Sequence, residues 1–134
     1  MKTKKRKIRA EVLKELDFLE SLSRRCPRDA DILKALSDLC TKVGRHEDGL
    51  KIDLELTELC PREPIVWYNL ACSYALTARA DEALAALARA VEMGYRDVIW
   101  IRQDTDLESI RKDKRFEALL RCLLTGQNVP HRSA

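Results

Sequence analysis

The chain has 134 residues, of which 46% are apolar and 35% charged, with four Gly, four Pro and a net charge of +3. That length fits one domain with a buried core, and abundant Leu and Ala with few breakers describe a mostly helical protein. No apolar run approaches the ~20 residues that cross a bilayer, and the basic start, residues 1–7, leads into no apolar signal-peptide core. Five cysteines, an odd number with no C-x-x-C pair, suit free thiols in a reducing compartment, and the expected location is the cytoplasm.

The charge is uneven. Residues 1–28 hold ten basic and four acidic side chains, whereas residues 29–62 hold five and eight. Lys2, Lys4, Lys5, Arg6, Lys7 and Arg9 form the basic cluster, which is expected to be a solvated tail over residues 1–7. No aromatic residue interleaves it, so base stacking is unsupported and nucleic acid ranks low among the partners.

In chain order, apolar spacing predicts a first helix from about Lys7 to Arg25, ended by Pro27. Asp29 is placed to cap a second, about Ala30 to Val43, which Gly44 closes. A third covers about Glu47 to Leu59 and ends at Pro61. Pro64 opens a fourth, to about Thr77, and a fifth runs from about Asp81 to Met93, ended by Gly94. Asp97 starts a short helix through Trp100, Asp104-Thr105-Asp106 reads as a polar turn, and Leu107–Ile110 is a single turn. Asp113 caps a last helix to about Leu124, and residues 125–134 are expected to be a flexible tail.

Cys-Pro-Arg occurs at residues 26–28 and again at 60–62, an offset of 34. A fixed period of that size marks stacked supersecondary units. Helices in contact lie ~8–10 Å apart and a disulfide needs Cα atoms within ~7 Å, so Cys26 and Cys60 are not expected to pair.

Trp67, Leu70, Ala71 and Tyr74, followed by Ala83, Leu87 and Ala90, stand at the signature offsets of a helical hairpin. Leu33, Leu36, Ser37, Cys40, Gly49 and Leu56 hold the equivalent places one period earlier, with Pro61 at the boundary. In these residues the chain resembles the tetratricopeptide repeat family. The stretch from Gly94 through Leu120 looks like a segment that ends such arrays. The resemblance implies an all-α fold: a short right-handed solenoid of antiparallel hairpins, about six or seven helices. It places one domain over residues 8–124, with repeats at 30–63 and 64–97 and half-units at both ends. Ala71, Ala83 and Ala90 would let helices approach closely, with Trp67, Tyr74 and Leu87 filling the space between them.

Two departures stand out. Asp53 occupies a position that is usually a large apolar residue. A buried carboxylate needs a partner, and Trp67 or Tyr74 is the expected donor, unless the helix rotates to leave Asp53 partly wet. The helix from Pro64 is apolar on a second face as well, with Ile65, Tyr68, Cys72, Ala75 and Leu76. The family's geometry turns that face, with Lys34, Asp38, Thr41 and Asn69, toward a concave groove. Either the C-terminal segment covers it, or a ligand or a second copy does.

The expected function is therefore binding of a peptide or protein segment in the groove, as an adaptor or assembly factor. The alternative is a self-associating module, a homodimer that buries the same face. A clamp for a ligand's C-terminal carboxylate is disfavoured, because Asp38 stands where an Asn is required. His46 and His131 have no metal-spaced companions, and no nucleophile or phosphate motif occurs. No enzyme activity, cofactor, metal or membrane association is expected.

Overall fold

In the computed structural model, which describes residues 2–126, every regular element is helical. Cα packing divides the chain, within the stretch expected as one domain, into two compact units, residues 1–60 and 61–134.

The first unit holds α1 (Lys2–Arg25), α2 (Ala30–Lys42) and α3 (His46–Leu59). Asp29 caps α2 as expected, its Oδ1 accepting from the amides of Asp31 at 3.0 Å and Ile32 at 3.2 Å. Gly44 takes the left-handed φ of +81° that turns α2 into α3. Leu16 of α1 packs with Leu36, Leu39 and Cys40 of α2, and Val12, Leu19, Val43 and Ile52 flank them. Arg45, in the α2–α3 turn, reaches Glu20 of α1 at 2.7 Å and Asp48 at 2.8 Å.

One boundary needs correction. The helix expected from about Lys7 begins at Lys2, so the basic segment is helical rather than a tail. Lys and Arg are good helix formers, and no Gly or Pro interrupts residues 2–25. Of the flexible tail expected over residues 125–134, Thr125 ends a helix and Gly126 follows it with a φ of +69°, while residues 127–134 lie outside the described residues.

The second unit holds α4 (Pro64–Leu76), α5 (Ala80–Met93), α6 (Val98–Gln103), a 3-10 helix (Thr105–Ile110) and α7 (Lys114–Thr125). Pro64 sits in the first turn of α4, and Gly94 ends α5 at φ +116°. The carboxylates of Asp97, Asp104 and Asp113 accept amides at the starts of α6, the 3-10 helix and α7. α4 pairs with α5 and also with the 3-10 helix, while α7 packs on α5. Ala71, Ala83 and Ala90 are fully enclosed, the condition for close helix approach. Trp67 and Tyr74, expected in the core, are only half-buried. The Trp67 indole donates to the Pro61 carbonyl at 2.8 Å, and the Arg89 guanidinium lies 5.5 Å from its ring.

Ala78 is the one described non-glycine residue with positive φ, at +59°. It turns α4 into α5 and lies 34 positions after Gly44, which makes the same turn one hairpin earlier.

Candidate functional site

The second apolar face of α4 is where the sequence leaves a choice, and the fold of the second unit resolves it for most of that face. Tyr68 is 2% exposed, and Cys72 and Ala75 are also buried. Residues between α5 and α7 cover them. The Tyr68 hydroxyl donates to Asp104 Oδ2 at 2.6 Å, and the Cys72 thiol lies 3.7 Å from the same oxygen. The Tyr95 ring stacks on Tyr68 with centroids 4.3 Å apart. Ser109 donates to the Ala75 carbonyl at 3.0 Å, and the Arg111 guanidinium to the Asp104 carbonyl at 2.7 Å.

Asp104 is the hub of this layer. One carboxylate oxygen receives Tyr68; the other accepts the Asp106 amide at 3.0 Å and caps the 3-10 helix. The turn role was legible in the sequence, whereas the partnership with Tyr68, 36 positions earlier, was not. No local pattern signals a pair at that separation. Burial, with Cys72 and Asp104 alongside, holds the Tyr68 phenol far above its ordinary range. Burial likewise pushes the Cys72 thiol well up, reinforced by Asp104, and the Tyr95 phenol is pushed up to about 12. The upward shifts of Tyr68 and Cys72 agree with their donating to Asp104.

Cys72, Asp104 and Asp106 bring possible ligand atoms within 4.8 Å of one another. The hydrogen bonds from Tyr68 and the Asp106 amide to Asp104 already account for that convergence.

The other expected groove residues are placed differently. On α4, Ile65 is 46% exposed, Asn69 is exposed and Leu76 half-buried. Tyr68 and Cys72 must therefore be withdrawn as ligand contacts, because the chain's own segment occupies them. On α2 of the first unit, Asp38 is exposed and pairs with Lys42 at 3.2 Å, Lys34 is half-buried, and half-buried Thr41 donates to the Ser37 carbonyl at 3.2 Å.

Asp53 is enclosed, not partly wet, at 2% exposure. Ser37 of α2 donates to its Oδ1 at 2.5 Å, a donor that the sequence reading did not name. The Trp67 N–H, one of the two expected donors, is engaged elsewhere. A Ser–Asp pair between α2 and α3 thus replaces an apolar contact in the first unit.

Sequence reasoning also missed the large apolar side chains left outside in the second unit: Ile99 and Trp100 of α6, 71% and 49% exposed, while their neighbour Ile101 is buried, and Leu124 of α7, 62% exposed. All five cysteines are free thiols. No helix among the described residues is long and apolar enough to cross a membrane.

No family model matches the chain. A curated chloroplastic protein of Arabidopsis thaliana is 32% identical over 108 residues, covering 78% of this chain and 32% of that protein. The chain therefore spans about a third of the length of the curated relative it matches.

Proposed function

We propose that the chain is a tetratricopeptide-like interaction module that binds a peptide or protein segment, as an adaptor or assembly factor. The observation that carries this reading is the exposure of Ile65, Ile99 and Trp100 in the second unit, where Leu124 of α7 is also exposed while Val66, Leu70, Leu87, Ile101 and Phe116 are enclosed. Large apolar groups left in water mark interaction surfaces, and an exposed Trp is the kind of anchor that dominates interface energetics. The repeat reading is supported by helix bounds: α2 and α4 have 13 residues each and start at 30 and 64, while α3 and α5 have 14 each and start at 46 and 80.

The ligand contacts on α4 are accordingly Ile65 and Asn69, and those on α6 of the same unit are Ile99 and Trp100. Lys34, Asp38 and Thr41 are charged and polar candidates on α2 of the first unit. The free thiols suit a reducing compartment such as the cytoplasm; the Arabidopsis relative is described as chloroplastic.

Affinity capture with the wild-type chain against Ile65→Glu and Trp100→Ala tests the proposal. Both positions are exposed, so the variants should fold normally and lose captured protein. Equal capture by all three chains would refute it. Light scattering over a concentration series separates a foreign ligand from a second copy: a mass that rises with concentration and stays monomeric in Trp100→Ala would assign the surface to self-association.

A further inference from the structure

α1 carries its densest charge beyond the packed part of the first unit. Its core contacts involve Val12, Leu16 and Leu19, whereas residues 3–10 are helical and all exposed. Lys4, Lys5, Arg6 and Lys7 are consecutive, so at about 3.6 residues per turn they point to four sides of the helix. Arg9 adds a fifth exposed cation. Helical neighbours three and four positions on do little to neutralise them. Lys4 meets Lys7, and both Lys5 and Arg6 meet Arg9; only Lys7 has a carboxylate, Glu11, at that spacing. The segment repels itself and is arranged to take up external anions.

The geometry discriminates among polyanions. A planar anionic membrane meets one side of a helix, so it engages only part of a charge set spread over four sides, and the apolar face that adds interfacial binding is represented in the exposed stretch by Ile8 as its single large apolar residue. An acidic protein face likewise meets one side. Single-stranded nucleic acid calls for aromatic stacking platforms, which residues 2–10 lack. The major groove of B-form DNA is ~12 Å wide and admits an α-helix, with a phosphate backbone along each wall. Cations on every side of the helix find partners there. The low rank that the sequence assigns to nucleic acid rests on missing aromatics; a helix held between phosphate backbones needs none.

We infer that residues 2–10 form a helical arm that binds the major groove of duplex DNA through phosphate contacts, without base specificity. This inference does not rest on the proposed apolar contacts of the second unit.

Fluorescence anisotropy of the full chain with a labelled duplex of about twenty base pairs tests it, across about 50–200 mM KCl. Five phosphate contacts predict a slope of log affinity against log salt of about −4.5, a weakening of about 500-fold over that range. The variant K4Q/K5Q/R6Q/K7Q should flatten the slope to about −1 and leave the thermal melt unchanged. A wild-type slope shallower than about −2 would overturn the inference, as would a variant that binds like wild type. So would tighter binding to an RNA duplex, whose major groove side chains cannot enter, or binding to phosphatidylglycerol vesicles where duplex DNA fails to bind.

Discussion

Replacing Tyr68 by Phe tests the layer that covers α4. The substitution removes one oxygen and keeps the ring, so the stack on Tyr95 at 4.3 Å survives. What is lost is the 2.6 Å hydrogen bond to Asp104 Oδ2. Asp104 is only 6% exposed, so water does not freely replace the donor, and the remaining contact to that oxygen is the weaker Cys72 thiol at 3.7 Å. A hydrogen bond to a charged acceptor contributes about 1.5–3 kcal/mol net, and stranding a buried acceptor sets the cost toward the upper end. Urea denaturation should show a loss of about 2–3 kcal/mol, equivalent to a fall of roughly 6–12 °C in Tm for a chain of this size. Hydrogen exchange should place the damage between Tyr95 and Arg111, where the covering segment lies, ahead of the α4–α5 hairpin. Tyr74→Phe, at a half-buried phenol, serves as control and should stay within about 0.5 kcal/mol of wild type. A Tyr68→Phe variant as stable as that control would refute the idea that this bond holds the segment on α4.

Three further outcomes follow from the same geometry. Ala78→Gly should stabilise by about 0.5–1 kcal/mol, because relief of the left-handed φ outweighs glycine's extra unfolded-state entropy, and Gly44→Ala should destabilise by a similar amount, since nothing within 4 Å of an added Cβ adds a clash; chemical denaturation reads both, and a shared sign would contradict the reasoning. Ser37→Ala should cost about 1–3 kcal/mol by removing a donor from buried Asp53, with protection lost in α2 and α3 by hydrogen exchange. The Arg115 guanidinium, in side-chain hydrogen bonds to Asp113, together with the Arg115 amide, holds the Asp113 carboxyl down at about 2; its contribution is present above the usual carboxyl range and is lost as pH falls toward 2, so Asp113→Asn should flatten that part of the melting-temperature profile.

Much of the helical plan was readable because its determinants are local. Asp29, Pro64, Gly94, Asp97 and Asp113 each act within one turn of the helix end they define. α6 was less legible: expected through Trp100, it continues to Gln103 before Asp104 starts the 3-10 helix. The candidate site was the least legible part. Tyr68 and Cys72 read as groove residues because helical periodicity assigns a face and does not say what covers it. Trp67 and Tyr74 read as core for the same reason.

The sequence by itself determined an all-helical chain, the capped helix ends at Asp29, Pro64, Gly94, Asp97 and Asp113, and the 34-residue spacing of the hairpins, since capping, backbone restriction and apolar period operate over a few neighbours. The tertiary structure alone decided that Asp104 meets Tyr68 across 36 positions, that Ser37 answers Asp53, and that Ile99 and Trp100 remain outside. Those outcomes depend on which surfaces meet once helices pack. Contacts distant along the chain are set by shape and burial, which no short window of residues encodes.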